Sequence, residues 1–145
     1  MKPLLALAVL VLAVAGCGGG GSPEQSAGEF VDGLFSRIFD GHHASVWEDL
    51  YPPHQEVATR ARYVSCSEEE PAVEDSAVVE VLGVRDEMWQ VAGEPDSQES
   101  KAVTFRITIA GSGATSTGHL IAVDGRWRWI LSPDDYQAFS AGQCP

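Results

Sequence analysis

Basic residues are scarce in this chain, which has 9 Lys and Arg residues against 21 Asp and Glu and a formal net charge of −12. Nucleic-acid binding needs a basic surface that neutralises phosphates, so the composition argues against a nucleic-acid partner. The same acidity opposes attraction to anionic lipid headgroups. Any attachment to a membrane must therefore come from something other than a basic patch.

The sequence also lacks a complete catalytic or metal-binding motif. The glycine run Gly18–Gly21 precedes the predicted domain and does not form a phosphate-binding loop. The acidic segment 68–75 does not have the spacing of a calcium loop. A zinc site from His42, His43 and His54 would need three separate side chains to converge tetrahedrally. We therefore expect neither a metal nor another cofactor.

The longest apolar run extends from Leu4 to Ala15 and is shorter than the ~20 residues of a membrane-spanning helix. With Lys2 before it and small residues after it, the run has the layout of a secretory signal. The exit Val14-Ala15-Gly16-Cys17 resembles the lipobox of bacterial lipoproteins. That resemblance implies cleavage before Cys17 and acylation of Cys17, for example with palmitate. An ordinary secretory signal with an incidental cysteine is the alternative.

These features divide the chain into three parts: a signal peptide over residues 1–16, a lipidated cysteine and flexible Gly-rich tether over residues 17–25, and a single domain over residues 26–145. The tether carries few side chains that can join a core. Cleavage leaves 129 residues, enough for one domain with a core, and removes Lys2, so the formal charge becomes −13. The expected location is the extracytoplasmic face of the cell membrane, where the lipid on Cys17 makes the membrane its partner.

The chain has three cysteines. If Cys17 carries lipid, Cys66 and Cys144 remain, and an even remainder in an oxidising compartment suggests a disulfide. Such a bridge would contribute roughly 4 kcal/mol by constraining the unfolded chain. Two buried free thiols are the alternative.

Hydrophobic periodicity predicts helices first and strands afterwards, which is an α+β pattern. The predicted helices are 26–39, 43–50 and 54–63, the last ending near Cys66, with an acidic loop over 68–75. The predicted strands are 77–85 with an extension over 88–92, then 103–109, 115–123 and 126–131. A polar turn region over 93–100 and the glycines at 111 and 113 separate them.

Asp124-Gly125 is a strong signal for a two-residue hairpin turn. Such a turn pairs Val123 with Arg126 and Leu120 with Trp129, and cross-strand partners share a face. One face, suited to lie under helices, then carries Gly118, Leu120, Ala122, Trp127, Trp129 and Leu131. The other, suited to be the outer surface, carries His119, Ile121, Val123, Arg126, Arg128 and Ile130.

The mature chain resembles the nuclear transport factor 2-like superfamily, as found in small lipoproteins of actinobacterial type. The resemblance rests on the first helix, on the stretch 46–52 (VWEDLYP), on the ending 124–129 (DGRWRW), and on Tyr63-Val64-Ser65-Cys66 together with the terminal Cys144. It implies N-terminal helices packed in a curved antiparallel sheet, a cystatin-like cone whose open end forms an apolar pocket. Members of this superfamily use the pocket for binding or, in some cases, for catalysis.

The candidate pocket residues are Trp47, Tyr51, His54 and Asp134, and no catalytic residue is assigned. The favoured hypothesis is a non-catalytic, lipid-anchored domain that binds a small apolar ligand or an envelope partner protein. One alternative is an enzyme of ketosteroid isomerase or polyketide cyclase type, with His54 or Asp134 as the base. Another is a structural envelope lipoprotein without a pocket.

Overall fold

The computed structural model describes residues 23–70 and 77–145. The predicted signal peptide, the lipidation site Cys17, most of the tether and residues 71–75 of the predicted acidic loop lie outside these ranges. No helix within the described ranges is long and apolar enough to cross a bilayer.

The described residues form helices that precede an antiparallel sheet, with one more helix after it. The helices are α1 (Pro23–Phe39), α2 (His43–Glu48), α3 (Pro52–Val57), α4 (Arg60–Glu69) and α5 (Pro133–Ser140). The strands are β1 (Val78–Gln90), β2 (Ser97–Ile109), β3 (Ser112–Val123) and β4 (Arg126–Trp129). The predicted α+β class is confirmed.

The sheet is open and curved, with the strand order β1-β2-β3-β4 and antiparallel pairing throughout. Helix α1 packs across β1 and β2. The main core lies between them and contains Ala27, Val31, Val103, Phe105 and Leu120. The alternation of β2 supplies this core through Val103, Phe105 and Ile107, whereas Ile109 at the end of the strand is exposed.

The β3–β4 hairpin has the predicted register, with Val123 opposite Arg126 and Leu120 opposite Trp129. Asp124 and Gly125 have φ angles of 51° and 73°, as a turn with two left-handed residues requires. The outer face is less exposed than predicted. Ile121 is buried in a small cluster with Tyr51 and Val91, because the start of α3 covers this end of the sheet.

The predicted third helix, 54–63, is wrong as a single element. The chain forms α3 and α4 instead and breaks between them at Ala58. The Ala58 carbonyl accepts a hydrogen bond from Trp47 Nε1 at 2.6 Å, so it turns away from the helix direction. Helix α4 then continues through Glu69, into the start of the predicted acidic loop.

The strands also differ from the prediction at their ends. Strand β1 runs without interruption through Gln90 and has a register shift between Val81 and Gly83. Strand β2 begins at Ser97, inside the predicted turn region, because the polar residues there pair with the end of β1. Strand β4 stops at Trp129, two residues early.

Helix α5 was not predicted, and it closes one end of the domain. Ser132 caps it by accepting a hydrogen bond from the Asp135 backbone N–H at 3.1 Å. Beyond α5, Cys144 forms the predicted disulfide with Cys66 of α4, with a Cα–Cα distance of 5.4 Å. The C-terminal segment is therefore held against the helical layer.

Candidate functional site

A cleft opens where β3 and the chain after β4 separate. Their pairing ends at Leu120 and Trp129. The segment Asp49–Tyr51 occupies the far edge of β4, where Trp129 N donates to Asp49 O at 3.1 Å and Tyr51 N donates to Trp129 O at 2.8 Å. With that edge occupied, residues 130–133 leave the sheet toward α5, and the β3 residues Thr117–His119 have no partner on β4. We call the space between these β3 residues, residues 130–133 and α1 the main cleft.

The main cleft has a volume of about 470 Å³. Helix α1 and the facing sheet supply most of its wall, and most of the side chains there are apolar. Its apolar side chains include Leu34, Phe35, Ile38, Phe105, Leu120 and Trp129. The helical spacing of residues 34, 35 and 38 places them on one side of α1, toward the sheet. The main cleft is thus concave and largely apolar, and its volume lies within the 300–1,000 Å³ range of small-molecule sites.

A stacked pair of a tryptophan and a histidine contributes to the wall of the main cleft. The rings of Trp89 and His119 stack with centroids 3.6 Å apart, and both residues line the cleft. His119 Nε2 lies 3.2 Å from Glu87 Oε2. These side chains from β1 and β3 meet because β2 places the small residues Ser100 and Ala102 between them. His119 is therefore on the predicted outer face, but its side chain is only 9% exposed.

Burial lowers the pKa of His119 below its ordinary value. The hydrogen bond and the charge of Glu87 raise the pKa by a smaller amount, and Arg85 lowers it further. His119 is therefore mainly neutral at pH 7, and one of its ring nitrogens is occupied by Glu87.

A second, smaller cavity adjoins the main cleft, and we call it the side cavity. It has a volume of about 230 Å³ and reaches α4 and the disulfide. The two cavities share wall residues from α1, β4 and α5 and the segment between the last two: Leu34, Ile38, Trp129, Leu131 and Asp135. They thus form adjoining parts of one concave region.

Aromatic and acidic side chains form much of the wall of the side cavity. The ring centroid of Tyr63 lies 5.8 Å from that of Trp129 and 6.3 Å from that of Phe139. Glu70 and Asp135 line the same cavity. Burial raises the pKa of Tyr63 to about 12, a hydrogen bond from Ser67 opposes this, and the charges of Glu70 and Asp135 raise it further. Both carboxylates therefore act electrostatically on Tyr63.

The predicted pocket residues lie beside the cavities, and none of the four lines either of them. Trp47 packs in the cluster between the helices. Tyr51 is buried, and its hydroxyl donates to Glu94 Oε1 at 3.3 Å and accepts from Gln98 Nε2 at 3.2 Å. Asp134 is exposed in the first turn of α5.

His54 is completely buried, and the backbone occupies both nitrogens of its ring. Nδ1 accepts from the Leu131 N–H at 3.0 Å, so the proton of the neutral ring is on Nε2, which donates to Ala92 O at 2.9 Å. Burial lowers its pKa, against smaller raising effects of the Ala92 bond and of Glu94. His54 therefore acts as a structural cross-link between two segments.

Sequence reasoning missed the residues that form the cavities, above all Ile38, Tyr63 and Asp135. Leu34 and Ile38 lie in the first predicted helix, but apolar helix positions usually fill a core. Asp135 is next to the candidate Asp134, and a correct assignment of α5 would have separated them. Asp135 is half-buried on the side of α5 that faces the cavities.

Within residues 23–70 and 77–145, no group of three or more His, Cys, Asp or Glu side chains is placed to hold a metal ion. No protein-family profile matches the chain, and no curated protein is significantly similar to it in sequence.

Proposed function

We propose that this protein is a lipid-anchored protein of the cell envelope whose single domain binds a small apolar ligand without transforming it. The observation that supports binding most strongly is the main cleft. Its apolar wall and its volume of about 470 Å³ are what a drug-sized apolar molecule needs. The lipid anchor on Cys17 rests on the sequence alone.

The proposal includes a fold of the nuclear transport factor 2-like type. The order of helices followed by a curved antiparallel sheet is compatible with that cone. In such a cone the ligand lies between the helices and the concave sheet face. The position of the main cleft, next to α1 and to Phe105 and Leu120 of the sheet, supports this proposal.

The state of buried His54 supports a binding role over an enzymatic one. An enolising enzyme needs a base with a free lone pair near the substrate. Both nitrogens of His54, a candidate base of the enzymatic alternative, are engaged by the backbone. His54 therefore has no lone pair with which to take up a proton from a ligand.

A neutral fluorescent probe tests the binding proposal. N-phenyl-1-naphthylamine should bind the delipidated domain and gain fluorescence, because the apolar wall of the main cleft would shield the bound probe from water. Ile38 lies on the wall that both cavities share. The larger side chain of Ile38→Trp should occupy part of the space for the ligand and weaken binding at least tenfold. Ile109→Trp is the matched control, since Ile109 is exposed at the end of β2 and lines neither cavity.

Urea unfolding of both variants checks that each is folded. Equal probe affinity for wild type and Ile38→Trp, with both folded, would overturn the assignment of the main cleft.

Incorporation of labelled palmitate into wild type but not into Cys17→Ser tests the anchor separately. Labelling of the Cys17→Ser variant would overturn that part of the proposal.

A further inference from the structure

We propose that the ligand is an alkyl ammonium amphiphile, whose cationic group occupies the side cavity while its apolar tail lies in the main cleft. This inference rests on the proposed binding function and names the chemical class of the ligand. It is based on three features of the side cavity: its aromatic wall, its carboxylates and its continuity with the main cleft.

The aromatic wall has the composition of an ammonium site. Trp129, Tyr63 and Phe139 all line the side cavity, with Tyr63 next to both of the others. Organic ammonium ions are attracted to the faces of aromatic rings, most strongly to tryptophan, and sites for quaternary ammonium groups are built from several such rings. A cavity of about 230 Å³ is large enough for a headgroup of that size but not for a long chain.

The charged side chains on the wall of the side cavity also favour a cation. Glu70 directly follows α4 and Asp135 lies in α5, and both contribute to this cavity. Among the described residues, no Lys or Arg lines either cavity, and His43 is the one basic side chain on the wall of the side cavity. A bound carboxylate or phosphate would meet two like charges here, whereas a cation is attracted by both.

The shared wall determines how one molecule can occupy both cavities. Leu34, Ile38 and Leu131 border the two spaces. An alkyl chain can pass along these side chains from the carboxylates of Glu70 and Asp135 to the apolar side chains of the main cleft. The cationic group of the amphiphile therefore lies near the carboxylates, and its alkyl chain lies against apolar side chains.

Isothermal titration calorimetry with three ligands of equal chain length tests this inference: decyltrimethylammonium, decan-1-ol and decanoate, each below its aggregation concentration. We expect wild type to bind the cation about tenfold more tightly than the alcohol and to bind decanoate most weakly. Asp135→Asn and Glu70→Gln should each remove most of the cation's advantage. Neither change should alter the affinity for decan-1-ol.

Asp134→Asn and Glu69→Gln are the matched controls. They make the same changes of charge at adjacent exposed positions that line neither cavity, so they should leave all three affinities unchanged. If decan-1-ol binds but the cation binds no better, the cationic headgroup is wrong while the binding function stands. Failure of all three ligands would contradict the binding function itself. An equal loss in the control variants would show attraction to the acidic surface in general, which would also overturn the inference.

Discussion

At the scale of single residues, His54 shows how a buried imidazole can hold together segments that are far apart in the sequence. It lies in α3, yet it bonds the loop after β1 through Ala92 and the segment before α5 through Leu131. Tyr136 also packs on its ring, with centroids 5.0 Å apart. The position of residues 130–133, and with it one wall of the main cleft, depends on this side chain.

His54→Ala should therefore destabilise the domain strongly. The change leaves the buried Leu131 N–H and Ala92 carbonyl without partners and creates a cavity, so we expect a loss of about 2–5 kcal/mol in the free energy of unfolding. Urea denaturation followed by tryptophan fluorescence measures it. His42→Ala, at an exposed position whose side chain makes no capping bond, should change stability by less than about 0.5 kcal/mol. Similar losses in both variants would contradict the cross-linking role.

The two buried histidines also make stability depend on pH. Burial lowers the pKa of His54 and of His119 below 6.5, so the unfolded chain takes up these protons at higher pH than the folded protein does. The free energy of unfolding should be highest above about pH 6.5 and fall as the pH drops below it. The slope is at most about 1.4 kcal/mol per pH unit for each histidine.

Urea midpoints measured between pH 7.5 and 5.5 test this expectation. His54→Gln and His119→Gln should each make the pH dependence shallower than in wild type, whatever their stability at pH 7.5. A dependence as steep in both variants as in wild type would show that other groups are responsible.

At the scale of elements, the two glycines Gly33 and Gly125 are expected to respond in opposite ways to the same substitution. Gly33 lies at an exposed position inside α1, and a Cβ added there meets nothing within 4 Å. Gly33→Ala should raise stability by about 0.5–1 kcal/mol, because glycine is a poor helix former. Gly125 has a φ of 73° in the hairpin turn, so Gly125→Ala should lower stability by about 1–2 kcal/mol. Thermal unfolding of both variants gives the signs, and a shared sign would contradict the assignment of the turn or of α1.

The elements that could be predicted from the sequence are those determined locally. Asp124-Gly125 defines its own turn type, and the turn then determines the register and faces of β3 and β4. Helix α5 was missed although Ser132-Pro133-Asp134-Asp135 carries an N-cap, a proline in the first turn and two acidic residues there. Its short apolar pattern was too weak to suggest a helix.

The main cleft was not predictable in the same way, because it depends on long-range contacts. It exists where β4 stops pairing after Trp129, and the apolar run continues to Leu131 without a local signal for that stop. Trp129 and Leu131 form hydrogen bonds with Asp49 and His54, which lie about 80 residues earlier in the chain. Candidate pocket residues chosen for their chemistry, such as His54, were taken up by these structural contacts.

At the scale of the whole molecule, the Cys66–Cys144 disulfide holds the C-terminal segment against the helices, across a sequence separation of 78 residues. Cleavage of the bridge by a reductant should lower the free energy of unfolding by about 2–4 kcal/mol, because a long loop in the unfolded chain is released. Urea denaturation with and without reductant measures this, with mass spectrometry to establish the thiol state. The double variant Cys66→Ser, Cys144→Ser should be insensitive to reductant. An unchanged midpoint for the fully reduced wild type would contradict the stabilising role.

A titration of the methyl-labelled domain with N-phenyl-1-naphthylamine, followed by methyl NMR, tests most directly whether an apolar ligand binds in the main cleft. Binding there should give saturable shift changes at Leu34, Ile38, Leu120 and Leu131, which line the main cleft, and none at the exposed Val78 and Ile109. Shift changes centred on Val78 and Ile109, or none at the cleft methyls at saturating probe, would contradict it.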